Sequence, residues 1–231
     1  MTSHSDEATK LLTAARALSE ADGADLVEAI DSGSKLLLDW IGYLQGFAAT
    51  GHAKELLDCV RAAVRDVAGC LSLGLVRPAL FSIRVELELF LAWMYFKDHE
   101  VEWKHSKDTG KDFPLRASNL KYLKKFSRGF DKRFNLLDAN SSRSKSNPYE
   151  LLSIHVHSTA MLAMPAPGPL EGMVCAKEAC DDCCKLQVEV CEYLSDVLVS
   201  HYASRWIDLP ESIRSNVESR LTTAQVRDLV Q

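Results

Sequence analysis

The sequence lacks the features that mark several classes of protein. Only 11 glycines and 7 prolines occur among 231 residues, which excludes a collagen-like or low-complexity chain. No uncharged apolar run reaches the roughly 18 residues that a membrane span needs. The first ten residues also lack the basic and apolar regions of a secretory signal peptide. We therefore expect a cytoplasmic protein that has no membrane partner.

The apolar residues that are present follow a helical period. Hydrophobic residues make up 47% of the chain and charged residues 26%, enough to bury a core without metals or disulfides. Apolar side chains recur every three or four positions, as in Leu80, Ile83, Leu87, Leu91 and Met94. The pattern predicts an all-α bundle that forms a single domain over residues 1–231. Its core spans about 34–206, with short additional helices at 6–20 and 210–230.

Cysteines are concentrated in one region, yet they do not have the pattern of a metal site. Five of the seven lie between 175 and 191, and Cys180 and Cys183 have the spacing of a zinc-ligand pair. No second ligand pair or glycine-rich turn accompanies them, and they share helical spacing with Leu186 and Val190. We expect reduced thiols that act as small apolar residues on a long helix, and neither a metal nor a cofactor.

Positive charge is unevenly distributed along the chain. The net charge is −5, but residues 97–145 contain 13 basic and 7 acidic residues, a local charge of +6. The candidate nucleic-acid-binding residues in this segment are Lys121, Lys124, Lys125, Arg128, Lys132 and Arg133. Aromatic residues alternate with them at positions 122, 126, 130 and 134, and Gly129 is expected to break or bend the segment.

Two interpretations of this basic segment remain open. Charges spaced by three and four form a stripe along a helix, which is typical of a solvated face whose neighbouring aromatic residues point into the core. The same stripe also suits a surface that contacts phosphates.

The next segment is polar and is followed by an ambiguous one. Residues 140–147 contain no apolar side chain and predict a mobile loop. Asn147 and Pro148 then suit a helix start, and we expect that helix to reach about residue 164 and stop at 165–169. Apolar residues alternate with Ser153, His155 and His157, which is also a strand pattern. The helical alternative, favoured by the Asn-Pro start, places Ser153 and His157 on one face.

Four polar residues near apolar stripes are candidates for catalysis. Arg84 and Glu88 are four apart on one predicted helix, and Ser153 and His157 are four apart on another. If these helices pack side by side, Arg84 would bind phosphate, Glu88 would orient the imidazole and His157 would serve as general acid or base. The alternative is a polar network that only fixes the register of the helices.

The runs that contain these residues resemble a known superfamily. The first is Arg77-Pro-Ala-Leu-Phe-Ser-Ile-Arg84-Val-Glu-Leu-Glu88, and the second is Tyr149-Glu-Leu-Leu-Ser153-Ile-His-Val-His157-Ser. They are similar to uncharacterised bacterial families of the HEPN superfamily, over roughly residues 52–164. The resemblance implies a helical bundle, often a homodimer, in antiviral defence, toxin–antitoxin or stress systems. It places a site near Arg84, Glu88, Ser153 and His157.

The sequence also departs from the pattern of that superfamily. HEPN ribonucleases have an Arg and a His separated by four to six residues on one helix, and no Arg–His pair here has that spacing. We therefore expect a HEPN-like bundle that recognises a nucleic acid such as RNA, a nucleotide or a partner protein. The alternatives are a metal-independent ribonuclease that uses His157 and Arg84, and a structural helical subunit without a small-molecule site.

Overall fold

Helices form the regular structure of the residues that can be described. The computed structural model describes residues 3–47, 51–114, 116–144, 147–157 and 168–231, with only the backbone of residues 156 and 157. These residues form α1 (His4–Gly33), α2 (Lys35–Gly46), α3 (Lys54–Ser72), α4 (Val76–Phe96), α5 (Glu100–Thr109), α6 (Arg116–Phe126), α7 (Phe130–Ala139), α8 (Pro148–His157), α9 (Lys177–Tyr202), α10 (Glu211–Glu218) and α11 (Thr223–Val230). The all-α prediction is confirmed. Among these described helices, none is long and apolar enough to cross a membrane.

The N-terminal helix is longer than the one that the sequence predicted. Instead of a short helix at 6–20, α1 begins after its Ser3 cap and continues through Gly23 to Gly33. A Cβ at position 23 would lie 3.3 Å from the carbonyl oxygen of Ser72, so glycine permits close packing against α3. This packing offsets the cost of about 1 kcal/mol that glycine carries inside a helix. Short helices are found at 210–230 as expected: α10 follows Pro210, and Thr222 caps α11.

The described residues divide into two compact units. The first draws on residues 1–34, 62–85 and 147–188, and the second on 35–61, 86–146 and 189–231. The single domain expected from the sequence stays a prediction.

The first unit has an apolar core that includes cysteines. Leu26, Ile30 and Ile83 are fully or almost fully buried there, and so are Leu152 and Cys180. Helix α8 confirms the helical interpretation of its ambiguous segment as far as residue 157, and the expected continuation to 164 lies outside the described residues.

The second unit is built around the C-terminal part of α9. Every residue from 190 to 200 is buried, which is the pattern of a helix covered on all sides. Polar residues on this stretch find partners inside the unit. Trp40 Nε1, for example, donates to Ser195 Oγ at 2.9 Å, and both side chains are fully buried. Satisfied polar groups such as these fix which faces of the helices meet.

Candidate functional site

The predicted basic segment forms two helices separated by a glycine. Helix α6 ends at Phe126, and Gly129, with φ of 75°, precedes α7. This left-handed conformation is readily accessible to glycine, so the expected break at Gly129 is confirmed. A Cβ at this position would also lie 3.2 Å from Nη1 of Arg133, whose guanidinium folds back onto the turn.

Five of the six predicted cations are exposed on this segment. Lys124 is balanced, because its Nζ lies 3.0 Å from Oδ1 of Asp131. The other four form no ion pair within the part of the chain that the structure describes. We call these four the basic ridge: Lys121, Lys125, Arg128 and Lys132.

Aromatic rings lie beside the basic ridge in a continuous row. The rings of Tyr95 and His99 are stacked with centroids 3.9 Å apart, and Tyr122 packs edge-on against both. Phe126 follows at 5.2 Å from Tyr122, and Lys125 Nζ lies 4.8 Å from the centroid of Phe126. We call these four rings the aromatic row.

The outer end of the aromatic row is open to solvent. Phe126 is 64% exposed, whereas Phe130, one turn further along the sequence, is 1% exposed. The interpretation that the aromatic residues of this segment point into the core is therefore wrong for Phe126 and right for Phe130. The glycine turn between them changes the direction of the chain, so one helical period does not extend through both rings.

Arg133, the sixth predicted cation, is held in place by backbone carbonyls. Its Nε donates to the oxygen of Leu229 at 2.9 Å, and its Nη1 donates to the oxygens of Arg128 at 2.8 Å and Ser200 at 3.4 Å. These acceptors are neutral, so they orient the guanidinium without cancelling its charge.

A cavity of about 490 Å³ lies next to this arginine, within the second unit. Three predicted cations line it, Arg128, Lys132 and Arg133, together with one acidic side chain, Asp228. The remaining lining residues are Ser127, Gly129, His201, Ser204 and Gln231. None of the three cations pairs with a carboxylate among the described residues, so the lining has an excess of positive charge.

His201 contributes a neutral ring to this cavity. Burial lowers its pKa, the charge of Lys97 adds to this effect and Asp98 opposes it, and the resulting pKa is about 4. Its Nδ1 lies 3.0 Å from Ser127 Oγ. At neutral pH the imidazole is therefore uncharged and serves as a hydrogen-bonding group.

Of the predicted catalytic residues, Arg84 makes a contact that reaches the helix of Ser153 and His157. Arg84 Nη2 donates to the hydroxyl of Tyr149 at 3.0 Å, and the guanidinium carbon lies 5.0 Å from the centre of that ring. Ser153 is half-buried one turn further along α8. His157 ends α8, but its side chain lies outside the described residues, and Glu88 belongs to the second unit. The contact joins α4 and α8 within the first unit.

A buried charge cluster was missed by reasoning from the sequence. The side chain of Arg143 is fully buried, and its guanidinium contacts Asp138 at 2.9 Å, Glu192 at 3.1 Å and Asp196 at 2.5 Å. Arg220 completes the cluster at 2.6 Å from Asp196. Arg143 lies in the segment where the sequence predicts a mobile polar loop; the mobility stays a prediction, but the burial of this arginine was not expected.

One signal in the sequence could have located the cluster. Glu192 and Asp196 are four apart on α9, in a stretch that is otherwise largely apolar. Buried carboxylates need cationic partners, so this pair predicts that arginines pack against that face.

The cysteines of α9 are inert by position. Cys180, Cys183, Cys184 and Cys191 are buried. Burial raises the pKa of Cys180 to about 11 and also raises that of Cys184, so both are thiols at neutral pH. No three His, Cys, Asp or Glu side chains converge as metal ligands anywhere among the residues that the structure describes.

Comparison with known proteins adds nothing to this geometry, because no family model, no curated protein and no solved structure matches this chain.

Proposed function

We propose that the chain is a HEPN-like helical protein that binds single-stranded RNA along the basic ridge and the aromatic row. The observation that carries the proposal is the exposed ring of Phe126 beside Lys125, whose charge no carboxylate balances among the described residues. Proteins that bind single strands combine backbone-tracking cations with aromatic side chains on which bases stack. The acidic remainder of the chain argues that such binding is confined to this face.

Removal of Phe126 tests the stacking part of the proposal. Each base stacked on an aromatic ring contributes about 1–3 kcal/mol to binding. We expect Phe126→Ala to weaken binding of a ten-nucleotide RNA by at least about fivefold in a fluorescence anisotropy titration. Phe47→Ala is the matched control, because Phe47 is a 60% exposed aromatic residue that is not part of the aromatic row. Equal affinities for the two variants would contradict the proposal.

Salt dependence tests the electrostatic part. The logarithm of the affinity falls with the logarithm of the salt concentration by about 0.7 for each phosphate contact with a single strand. The double variant Lys125→Ala, Arg128→Ala should flatten that slope by about 1.4. A double variant of two exposed lysines elsewhere, Lys10→Ala with Lys111→Ala, removes the same charge and should leave the slope unchanged. DNA of the same sequence reports whether the strand must be RNA.

A metal-independent ribonuclease is the second candidate, and the contact between Arg84 and Tyr149 favours it. This contact joins the two helices that hold the predicted catalytic residues. Incubation of RNA with the protein in a chelator should then give fragments, and His157→Ala should abolish them. If RNA stays intact and the ridge variants change only the melting temperature, the structural-subunit interpretation is the better one.

The biological setting stays part of the proposal. A defence, toxin–antitoxin or stress role in a bacterium and a homodimeric state are both implied by the HEPN resemblance. Sedimentation equilibrium measures the oligomeric state directly, and a monomer at all concentrations would remove the dimer from the proposal.

A further inference from the structure

We propose that the cavity beside the basic ridge binds a phosphate monoester, the group that ends a phosphorylated strand or belongs to a free mononucleotide. For the strand end, the inference rests on the proposed function, since the ridge would hold the strand whose end enters the cavity. For the free nucleotide it stands alone.

The size of the cavity suits a small ligand. Its volume of about 490 Å³ lies within the range of about 300–1,000 Å³ that small-molecule sites occupy. The cavity therefore has room for a compact ligand rather than for a folded partner.

The charge of the lining favours a monoester over the diester of a strand interior. Arg128, Lys132 and Arg133 are positive and Asp228 is negative, so the side chains leave an excess of two positive charges. A phosphate monoester carries roughly −1.5 to −2 at neutral pH. A diester linkage carries about −1. The doubly charged group is the better electrostatic match.

The lining groups are oriented before a ligand arrives. The three carbonyl bonds of Arg133 hold its guanidinium at the cavity. Hydroxyl groups of Ser127 and Ser204 and the ring of His201 supply neutral hydrogen-bonding partners. Fixed donors lose little conformational entropy on binding, and hydrogen bonds to a charged oxygen are the strong ones.

The cavity and the ridge share residues, which relates the two sites. Arg128 and Lys132 belong to the basic ridge and also line the cavity. A strand whose backbone contacts the ridge therefore passes next to the cavity.

The experiment compares three RNA strands of one sequence, carrying a 5′-phosphate, a 3′-phosphate or hydroxyls at both ends, and adds adenosine 5′-monophosphate and adenosine as free ligands. We expect one phosphorylated strand to bind at least about tenfold more tightly than the hydroxyl strand, as charge-assisted hydrogen bonds imply. Calorimetry at constant salt measures each affinity. Competition by the monophosphate but not by adenosine assigns the free-nucleotide source.

One substitution links the effect to the cavity. Ser204 is exposed, so Ser204→Asp should fold normally while it places a negative charge in the lining. With this variant, the affinity for the phosphorylated strand should be about equal to the affinity for the hydroxyl strand. Ser212→Asp adds the same charge at an exposed serine that does not line the cavity and should leave the ratio unchanged. Lys125→Ala should lower the affinities for the phosphorylated strand and the hydroxyl strand by the same factor.

The possible results separate this inference from the proposed function. Equal binding of all three strands, with no binding of the monophosphate, overturns the cavity inference and leaves ridge binding standing if Phe126→Ala is still weakened. If the protein binds the monophosphate but no RNA strand, and Ser204→Asp abolishes that binding, the cavity inference stands and the proposed function is wrong. A phosphate preference that survives Ser204→Asp also overturns the inference.

Discussion

Two sets of positive side chains in the second unit differ in how their charge is balanced. Arg143 and Arg220 share the carboxylates of Glu192 and Asp196, and the side chains of Arg143 and Asp196 are fully buried. Arg128, Lys132 and Arg133 line an accessible cavity that contains one acidic side chain. The first set is a buried network of ion pairs that stabilises the fold, and the second set has the accessible charges that are typical of a binding site.

The physical reason for the difference is desolvation. A charge removed from water costs several kcal/mol unless a partner compensates it, so buried arginines are retained only with their carboxylates. A charge that water can reach needs no fixed partner, and the folded protein can therefore leave it available for a ligand. The balance of charge, rather than the presence of arginine, distinguishes the two sets.

The largest expected effect comes from removal of the buried arginine. Arg143→Met leaves Asp138, Glu192 and Asp196 with Arg220 as the cation of the cluster, and should lower the free energy of unfolding by about 3–5 kcal/mol. Lys132→Met removes a cation of similar length from the cavity and should change stability by less than about 0.5 kcal/mol. Urea denaturation measures both. Similar losses for the two variants would end the distinction between the sets.

A smaller effect is expected from His201 as the pH falls. Its pKa is about 4 in the folded chain, against about 6.5 when unfolded, so the unfolded chain binds more protons between these values. Stability should therefore fall as the pH decreases through this window, by about 2 kcal/mol between pH 7 and pH 5. His201→Gln removes this component. Denaturation of both proteins at the two pH values isolates it. If both lose the same unfolding free energy between pH 7 and pH 5, the pKa of His201 is not lowered by folding.

The smallest effect concerns the acidic side chain of the cavity. Asp228→Asn removes the negative charge of the lining and should strengthen binding of adenosine 5′-monophosphate about fivefold, which corresponds to about 1 kcal/mol for charges near 4 Å apart in water. Asp208→Asn, at an exposed aspartate outside the lining, is the control. Titration calorimetry at low salt compares them. Unchanged affinity after Asp228→Asn would count against a charge-selective cavity.

Local features of this molecule could be predicted from the sequence because they depend on near neighbours. The helical period, the break at Gly129 and the burial of the α9 cysteines all follow from spacing and residue type. The six cations of the basic segment could also be identified from the sequence. The sequence did not show that three of them line one cavity.

Other features depended on contacts between distant parts of the chain. Gly23 would end a helix in isolation, but close packing against Ser72 lets α1 continue. Arg143 lies within a polar run, and in the fold it pairs with Glu192 and Asp196, about fifty positions away, as well as with the nearby Asp138. Leu229 and Ser200 likewise supply carbonyls that orient Arg133. Residue spacing does not identify which distant groups become the partners.

The amino-acid order by itself determined that this chain is helical and where its positive charge is concentrated, since backbone propensity and side-chain spacing act over a few residues. Only the tertiary structure decided which charges are neutralised and which remain open to a ligand. The reason is that burial and pairing depend on helices that are far apart in the chain and meet only when it folds.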